Sequence, residues 1–268
     1  MHPRIPLLDH GYFQLIEHWG SDERIIEAAR MSTNKGFKGW GPVVECSKCG
    51  IGESLIDPGR PHEYHTPEQT ICSHDMVSRP GDEKLLRYLY ENKHSTPFEM
   101  AGLTVEIKAP IFVFRQWHRH RTQSYNEMSA RYTPLPDEDY LPTVERLMVN
   151  STKNKQAGTA AGAVDLTEED AERFRRALDI SYKEAEGLYQ EALKAGVPKE
   201  LARIHLPVAR YSRMRASANL RNWLAFLTLR MDSHAQYEIR VYAEAVGSVV
   251  QAVFPRTYAL FLEGLEAA

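Results

Sequence analysis

Three arginines, a histidine, a carboxylate and several hydroxyls fall within the fourteen residues Arg119-His120-Arg121-Thr122-Gln123-Ser124-Tyr125-Asn126-Glu127-Met128-Ser129-Ala130-Arg131-Tyr132, directly after the apolar run Ile111-Phe112-Val113-Phe114. Guanidinium forks bind phosphate or uracil-type oxygens through two parallel hydrogen bonds, and Gln123, Asn126 and Ser129 can complete the shell. A solvated basic loop is the plain alternative. Two tyrosines and an asparagine interleave with the charges, however, and that mixture suits a phosphate-bearing ligand.

The formal net charge is -3, so the arginines of this segment read as a local cavity lining rather than part of a nucleic-acid-facing surface. No apolar run approaches membrane-spanning length, and the opening Met-His-Pro-Arg-Ile-Pro lacks a signal-peptide core, so a cytoplasmic enzyme with no membrane partner is expected. Gly50-Ile51-Gly52 lacks the third glycine of a dinucleotide fingerprint, and no Walker A pattern occurs. Ser129 has no evident His-Asp pair to activate it, so it reads as a ligand-binding hydroxyl rather than a nucleophile.

Arg-His-Arg at 119 to 121, followed after seven residues by Ser129 and then Arg131, resembles the signature of the flavin-dependent thymidylate synthases. The resemblance extends through Ala29-Arg30-Met31-Ser32, His94-Ser95-Thr96-Pro97-Phe98-Glu99 and Arg115-Gln116-Trp117-His118. It continues through Ala202-Arg203-Ile204-His205-Leu206-Pro207, Asn219-Leu220-Arg221-Asn222-Trp223 and Leu229 to Gln236, and so covers most of the chain in family order.

The resemblance implies conversion of dUMP to dTMP, with methylene-tetrahydrofolate as carbon donor and NADPH as reductant through bound FAD. It implies Arg230 as the group that activates the pyrimidine, and dUMP contacts from Gln116, Trp117, His118, Arg119, Glu127, Met128, Ser129, Ala130, Arg131, Arg203 and Arg230. FAD is expected at Ser32, His94, Thr96, Arg119, His120, Arg121, Glu127, Asn219, Arg221 and His234. Ala130 departs from a glycine common at its position, and Ala225 stands where some relatives carry a polar side chain. The resemblance also implies a homotetramer whose active sites combine residues from several subunits. Its chemistry agrees with the cysteine distribution, because Cys46, Cys49 and Cys72 all lie far in sequence from the arginine segment and none is placed to attack a pyrimidine ring.

An insertion at about 38 to 80 departs from the compact family pattern. It holds Cys46, Cys49, Cys72 and His74, with His62 and His65 nearby, which is an adequate ligand set for a structural zinc in a segment with little core of its own. A loop with free thiols is the alternative, since Cys72-x-His74 lacks the usual zinc-knuckle spacing. A nucleic-acid-binding protein with a basic aromatic loop and a zinc ribbon is the competing function. It leaves the ordered matches at 94 to 99, 203 to 207 and 219 to 236 unexplained.

Periodicity shows what positions these residues. Gly11 to His18 suits a strand, and Ser21 caps a helix carrying Ile25 and Ile26. Asp82 to Lys93 has Leu85, Leu86, Leu89 and Tyr90 at helical spacing, with Pro97 as its breaker. Leu103 to Lys108 and Arg210 to Ala218 alternate as strands, and Pro110 opens an apolar helical turn that delivers the arginine segment. Residues 150 to 164 read as a mobile connection. A long helix starts at Thr167, with Phe174, Leu178, Tyr182, Ala185, Leu188 and Leu193 expected in the core. Further helices are expected over 219 to 231, 235 to 252 and 255 to 267. The expected fold is therefore α+β, a mixed, largely antiparallel sheet flanked by helices in a single domain spanning 1 to 268, with the cysteine-containing insertion.

Overall fold

The computed structural model describes residues 2 to 46, 52 to 54, 76 to 149, 158 and 165 to 266. In chain order its strands are β1 (Ile5–Leu7), β2 (Gly11–Trp19), β3 (Val43–Cys46), β4 (Gly52–Ser54), β5 (Met76–Arg79), β6 (Gly102–Pro110), β7 (Ser124–Glu127) and β8 (Tyr211–Asn219). Its helices are α1 (Asp22–Arg30), α2 (Asp82–Glu91), α3 (Ser95–Glu99), α4 (Ile111–Trp117), α5 (Val144–Met148), α6 (Glu168–Lys194), α7 (Lys199–Ala202), α8 (Leu220–Arg230), α9 (Tyr237–Val253) and α10 (Pro255–Glu266). Two compact units share the chain. The first comprises Met1–His18, Leu103–Ala218 and Asn222–Val249; the second comprises Trp19–Gly102, Asn219–Arg221 and Val250–Ala268.

The first unit is built on a five-stranded sheet of order β1-β2-β6-β8-β7. β6 shows why the alternation was legible: Leu103, Val105, Ile107 and Ala109 are fully buried, while Thr104, Glu106 and Lys108 point to the other face. β8 repeats the pattern, with Met214, Ala216 and Ala218 buried and Arg213 and Arg215 exposed. On the polar face the hydroxyls of Thr104 and Ser217 meet at 3.0 Å, a cross-strand pair of the kind that stabilises a sheet by about 0.2–1 kcal/mol. Trp117, Trp223, Phe226 and Tyr242 pack behind the sheet, with the Trp117 and Phe226 rings 4.6 Å apart. Each such aromatic contributes roughly 1.5–3 kcal/mol through burial.

The long helix differs from its expectation. Only Ala171 and Tyr189 of α6 are buried, whereas Phe174 and Leu188, expected in the core, are 51% and 55% exposed. Tyr182, half-buried, packs against Tyr140, Ala209 and Tyr211, and beside that apolar contact α6 has a polar anchor. The fully buried Arg210 donates to Glu186 at 2.8 Å, to Asp139 at 3.1 Å and to the Pro136 carbonyl at 2.9 Å, tying the helix and the 136 to 139 segment to the base of β8. Burial pushes the Asp139 carboxyl up to about 6, against the pull of the Arg210 charge.

In the second unit, Ser21 caps α1 by accepting from the Arg24 amide, an interaction worth about 1 kcal/mol. The buried Asp22 accepts from the Thr257 hydroxyl at 2.6 Å and from the Arg256 amide at 2.8 Å, which fixes the start of α10. Pro97 does not break α2, which ends at Glu91 ahead of a left-handed Lys93; it lies in the first turn of the separate helix α3, where its missing amide costs nothing.

The insertion begins and ends at a tight neck in this unit. The Asp82 amide donates to the Gly39 carbonyl at 3.0 Å, and the Gly41 amide to Glu83 at 2.5 Å. A Cβ on Gly81 would lie 1.8 Å from the Gly41 carbonyl oxygen, so only glycine fits there. Trp40 donates to Glu23 at 2.7 Å and carries the Arg256 guanidinium 4.4 Å above its ring. Beyond the neck the backbone forms a second antiparallel sheet of order β4-β3-β5, so the insertion has regular structure that composition did not announce.

Candidate active site

The arginine segment starts where α4 runs out. Tyr125, on β7, donates its hydroxyl to the carbonyls of both Trp117, at 3.1 Å, and His120, at 2.6 Å, and Asn222 donates to the Thr122 carbonyl at 3.0 Å. Burial raises the Tyr125 hydroxyl pKa to about 12, so it stays a donor. The clamped turn sends successive side chains opposite ways. Arg119 and Arg121 are exposed, and neither side chain has a hydrogen-bond or ion-pair partner among the described residues, whereas His120 turns inward against Phe226 at 4.9 Å.

Arg230, at the end of α8, donates from Nε to His120 Nε2 at 2.9 Å and from Nη2 to the Gln116 carbonyl at 3.1 Å. Burial, reinforced by the neighbouring Arg230 charge, lowers the His120 pKa to about 4, which keeps the imidazole an acceptor at neutral pH. Burial also lowers the Arg230 pKa from its usual value. The result is a half-desolvated guanidinium in a set orientation, suited to stabilising negative charge that develops beside it.

The remaining expected substrate contacts are distributed unevenly. The Gln116 side-chain amide pairs with Gln236. Trp117 is fully buried with its indole N–H on Gln123 Oε1 at 3.0 Å; its side chain is a packing element and is withdrawn from any ligand. Ala130 is likewise 1% exposed and offers only main chain. His118 sits with Nε2 3.1 Å from the Met214 sulfur, and Met128 bonds the Arg213 carbonyl through its amide. Glu127 closes β7 opposite Met214. Ser129 Oγ accepts from the Arg131 amide at 3.3 Å. Arg131 pairs with Glu200 at 3.0 Å, both side chains more than half exposed, and a pair of that kind is worth only about 0–1 kcal/mol and is easily exchanged for a ligand anion. Arg203, half-buried at the end of α7, has no side-chain partner among the described residues. His234, exposed, holds Asp232 through Nδ1 at 2.9 Å.

Of the residues expected at the flavin, Ser32, His94, Thr96, Asn219 and Arg221 lie in the second unit. Ser32 and Thr96 are exposed, and Ser32 donates to the Ala29 carbonyl at 3.1 Å. His94, also exposed, meets Tyr88 edge-on at 5.5 Å. Asn219 ends β8, and Arg221 pairs with Glu99 at 2.8 Å. Of the expected zinc ligands, Cys46 closes β3, while Cys49, Cys72 and His74 lie outside the described residues. Sequence reasoning missed Tyr125, Gln236 and Asn222, whose importance comes from what they bond. No local pattern marks such residues.

A family model described as thymidylate synthase complementing protein matches residues 14–256. The flavin-dependent thymidylate synthase of Thermosipho melanesiensis is 35% identical over 257 residues, spanning 96% of this chain and 93% of that protein. That of Rickettsia bellii is 35% identical over 268 residues, spanning 97% and 78%. Among solved structures, the UMP/dUMP methylase PolB from Streptomyces cacaoi, bound with 5-Br dUMP, matches with a TM-score of 0.69 at 27% identity over 97% of both chains. The nucleic-acid alternative finds no support in these matches. With its signature arginines, its Arg230–His120 pair and its full-length matches, the chain belongs to the flavin-dependent thymidylate synthase family and is an enzyme of that family.

Proposed function

We propose that this enzyme methylates dUMP to dTMP, taking the carbon from methylene-tetrahydrofolate and reducing equivalents from NADPH through bound FAD. The observation that carries the reading is the Arg230 guanidinium, oriented by His120 and the Gln116 carbonyl. C5 of uracil becomes nucleophilic only as negative charge builds on the ring, and a fixed, partly desolvated cation at the ring edge lowers the cost of that charge. Arg119, Arg121 and Arg203, whose side chains have no partners among the described residues, suit the phosphates of the two nucleotides. Gln116, Glu127, Ser129, Arg131 and the main chain at Ala130 complete the dUMP contacts, with His118 and Met128 beside them.

The residues fit a flavin dinucleotide by donor type. Arg119, Arg121 and Arg221 suit its pyrophosphate, while Ser32, His94, Thr96, Glu127, Asn219 and His234 suit its polar ring and ribose edges. The flavin, when bound, supplies hydride transfer from the nicotinamide to the transferred carbon unit. His120 serves through Arg230, which it holds. The chain acts as one catalytic unit carrying the 38 to 80 insertion, in a cytoplasmic homotetramer. Cys46, Cys49, Cys72 and His74 hold a structural zinc in that insertion. Among the described residues no helix is long and apolar enough to cross a membrane.

The test is optical. Protein reconstituted with FAD is expected to be yellow and to oxidise NADPH only when dUMP is present. A colourless protein that leaves NADPH untouched with dUMP present sinks the proposal.

A further inference from the structure

Gln116 stands at the end of a line of hydrogen bonds whose polarity is set inside the first unit. The line starts at Glu238, 2% exposed in the first turn of α9. Its carboxylate accepts from Arg146 Nε at 2.7 Å and Nη2 at 3.2 Å, and from the Tyr140 hydroxyl at 3.0 Å. Burial pushes the Glu238 carboxyl up, but the bonds from Arg146 and Gln236 and the Arg146 charge outweigh it and hold the group below the usual carboxylate range. Glu238 is therefore ionised at neutral pH and can only accept.

The next two steps follow from the two ends of a carboxamide, one a donor and the other an acceptor. Gln236, directly ahead of α9, bonds the Glu238 carboxylate through its side chain, so it turns Nε2 there and keeps Oε1 for other groups. Gln116 Nε2 donates to that oxygen. Reversing Gln236 would set its oxygen against the carboxylate, and reversing Gln116 alone would set two amide oxygens together. Gln116 Oε1 is thus turned away from Gln236, and no protein donor reaches it among the described residues. The same residue stands beside Arg230, because its main-chain carbonyl is the one that accepts from Arg230 Nη2.

We propose that Gln236 is a positioning residue that fixes the Gln116 side chain with its oxygen outward, as an acceptor for a hydrogen-bond donor of the bound nucleotide. This rests on the reading that the site takes dUMP, whose two neutral donors are the sugar 3′-hydroxyl and the ring N3–H. An unanchored glutamine amide shows either end with similar ease, since its terminal torsion is broad and roughly two-fold. The anchored amide selects. A nucleotide with no hydrogen to donate at that place leaves the oxygen desolvated and unpaired.

The test is nucleotide binding to the FAD-loaded protein by isothermal titration calorimetry, beside steady-state kinetics. Gln236→Met keeps the length of an exposed side chain and removes both of its bonds. It is expected to weaken dUMP binding and raise the dUMP KM on the order of tenfold, the scale of one hydrogen bond, with a smaller fall in kcat. Gln116→Met is expected to lose a similar amount, and the double variant little more than either, because the pair acts as a unit. Binding of 2′,3′-dideoxyuridine monophosphate identifies the donor. If the 3′-hydroxyl is held, Gln236→Met weakens this analogue less than about twofold; if N3–H is held, the full loss persists. Equal dUMP binding by wild type and Gln236→Met, or losses that add in the double variant, overturns the positioning role and leaves the dUMP reading standing. Wild type that binds no dUMP overturns that reading as well.

Discussion

Arg230 Nε lies 2.9 Å from His120 Nε2, so the guanidinium proposed to activate the pyrimidine donates to an imidazole that must be unprotonated to accept. Arg230→Lys keeps the positive charge but loses the planar fork that reaches both His120 and the Gln116 carbonyl. Turnover is expected to fall on the order of a hundredfold or more, as for loss of one oriented donor to a developing charge. Steady-state kcat with saturating dUMP and FAD measures it, with circular dichroism to confirm that the fold persists. Near-normal turnover would place activation on another residue.

The same pair predicts a pH dependence. His120 titrates near 4 in the native protein and near 6.5 when unfolded. The unfolded chain therefore binds a proton first, and native stability falls as pH drops from about 6.5 to about 4, with no contribution from this group above that window. His120→Gln, which keeps an acceptor but does not titrate, is expected to flatten this part of the stability profile and to retain more turnover than His120→Leu. Denaturant unfolding at several pH values gives the profile, and an unchanged slope in His120→Gln would count against the buried neutral imidazole.

Arg210 makes a prediction about folding. Arg210→Met leaves Asp139 and Glu186 facing each other without their shared cation, and is expected to cost about 3–5 kcal/mol, the range for breaking a buried ion pair from one side. Urea unfolding measures the loss, and a change below about 1 kcal/mol, the range of exposed pairs, would mean that α6 is anchored by something else.

Gly81 and Gly187 contrast two uses of glycine. Gly81→Ala forces a methyl group into the Gly41 carbonyl, and is expected to lower stability by about 2 kcal/mol or more. A Cβ at Gly187, inside α6, meets nothing within 4 Å, so Gly187→Ala is expected to raise stability by about 0.5–1 kcal/mol. Thermal unfolding of the two variants side by side decides both signs.

Metal analysis addresses the insertion. Protein purified without chelator is expected to carry close to one zinc per chain, and Cys46→Ser with Cys49→Ser is expected to lose it while retaining FAD. Less than about a tenth of an equivalent in the wild type would favour free thiols over a closed four-ligand site. Loss of FAD binding with the metal would make the insertion part of the active site.

Much of this structure was legible from local pattern. β6 and β8 each have one buried face along nine residues, so their alternation shows, whereas β2 is buried on both faces from Gly11 to Leu15; Ser21 and Thr167 announce their helices by capping them. β1, β4 and β7 are three or four residues long, too short for alternation to register, and β7 exists through a distant pairing, Ser124 with Ser217. α6 shows a further limit. Periodicity identified its apolar positions correctly but carries no record of what covers them, so Phe174 and Leu188 were placed in a core they do not enter. At the site, the motif pointed to Arg119, His120 and Arg121. The inward turn of His120 and the burial of Trp117 depend on α8, roughly a hundred residues downstream.

The Tyr125 clamp bears on how this enzyme receives its ligands. One phenol holds the carbonyls of Trp117 and His120, and Asn222 holds that of Thr122, so the backbone between α4 and β7 is set before anything binds. Adjustment is then left to the outward side chains of Arg119 and Arg121, which have many rotamers and few commitments. Such an arrangement behaves as a stiff hand with loose fingers: association tolerates varied approach, and the final fit is reached by rotation about side-chain bonds in nanoseconds, not by rearrangement of the loop itself.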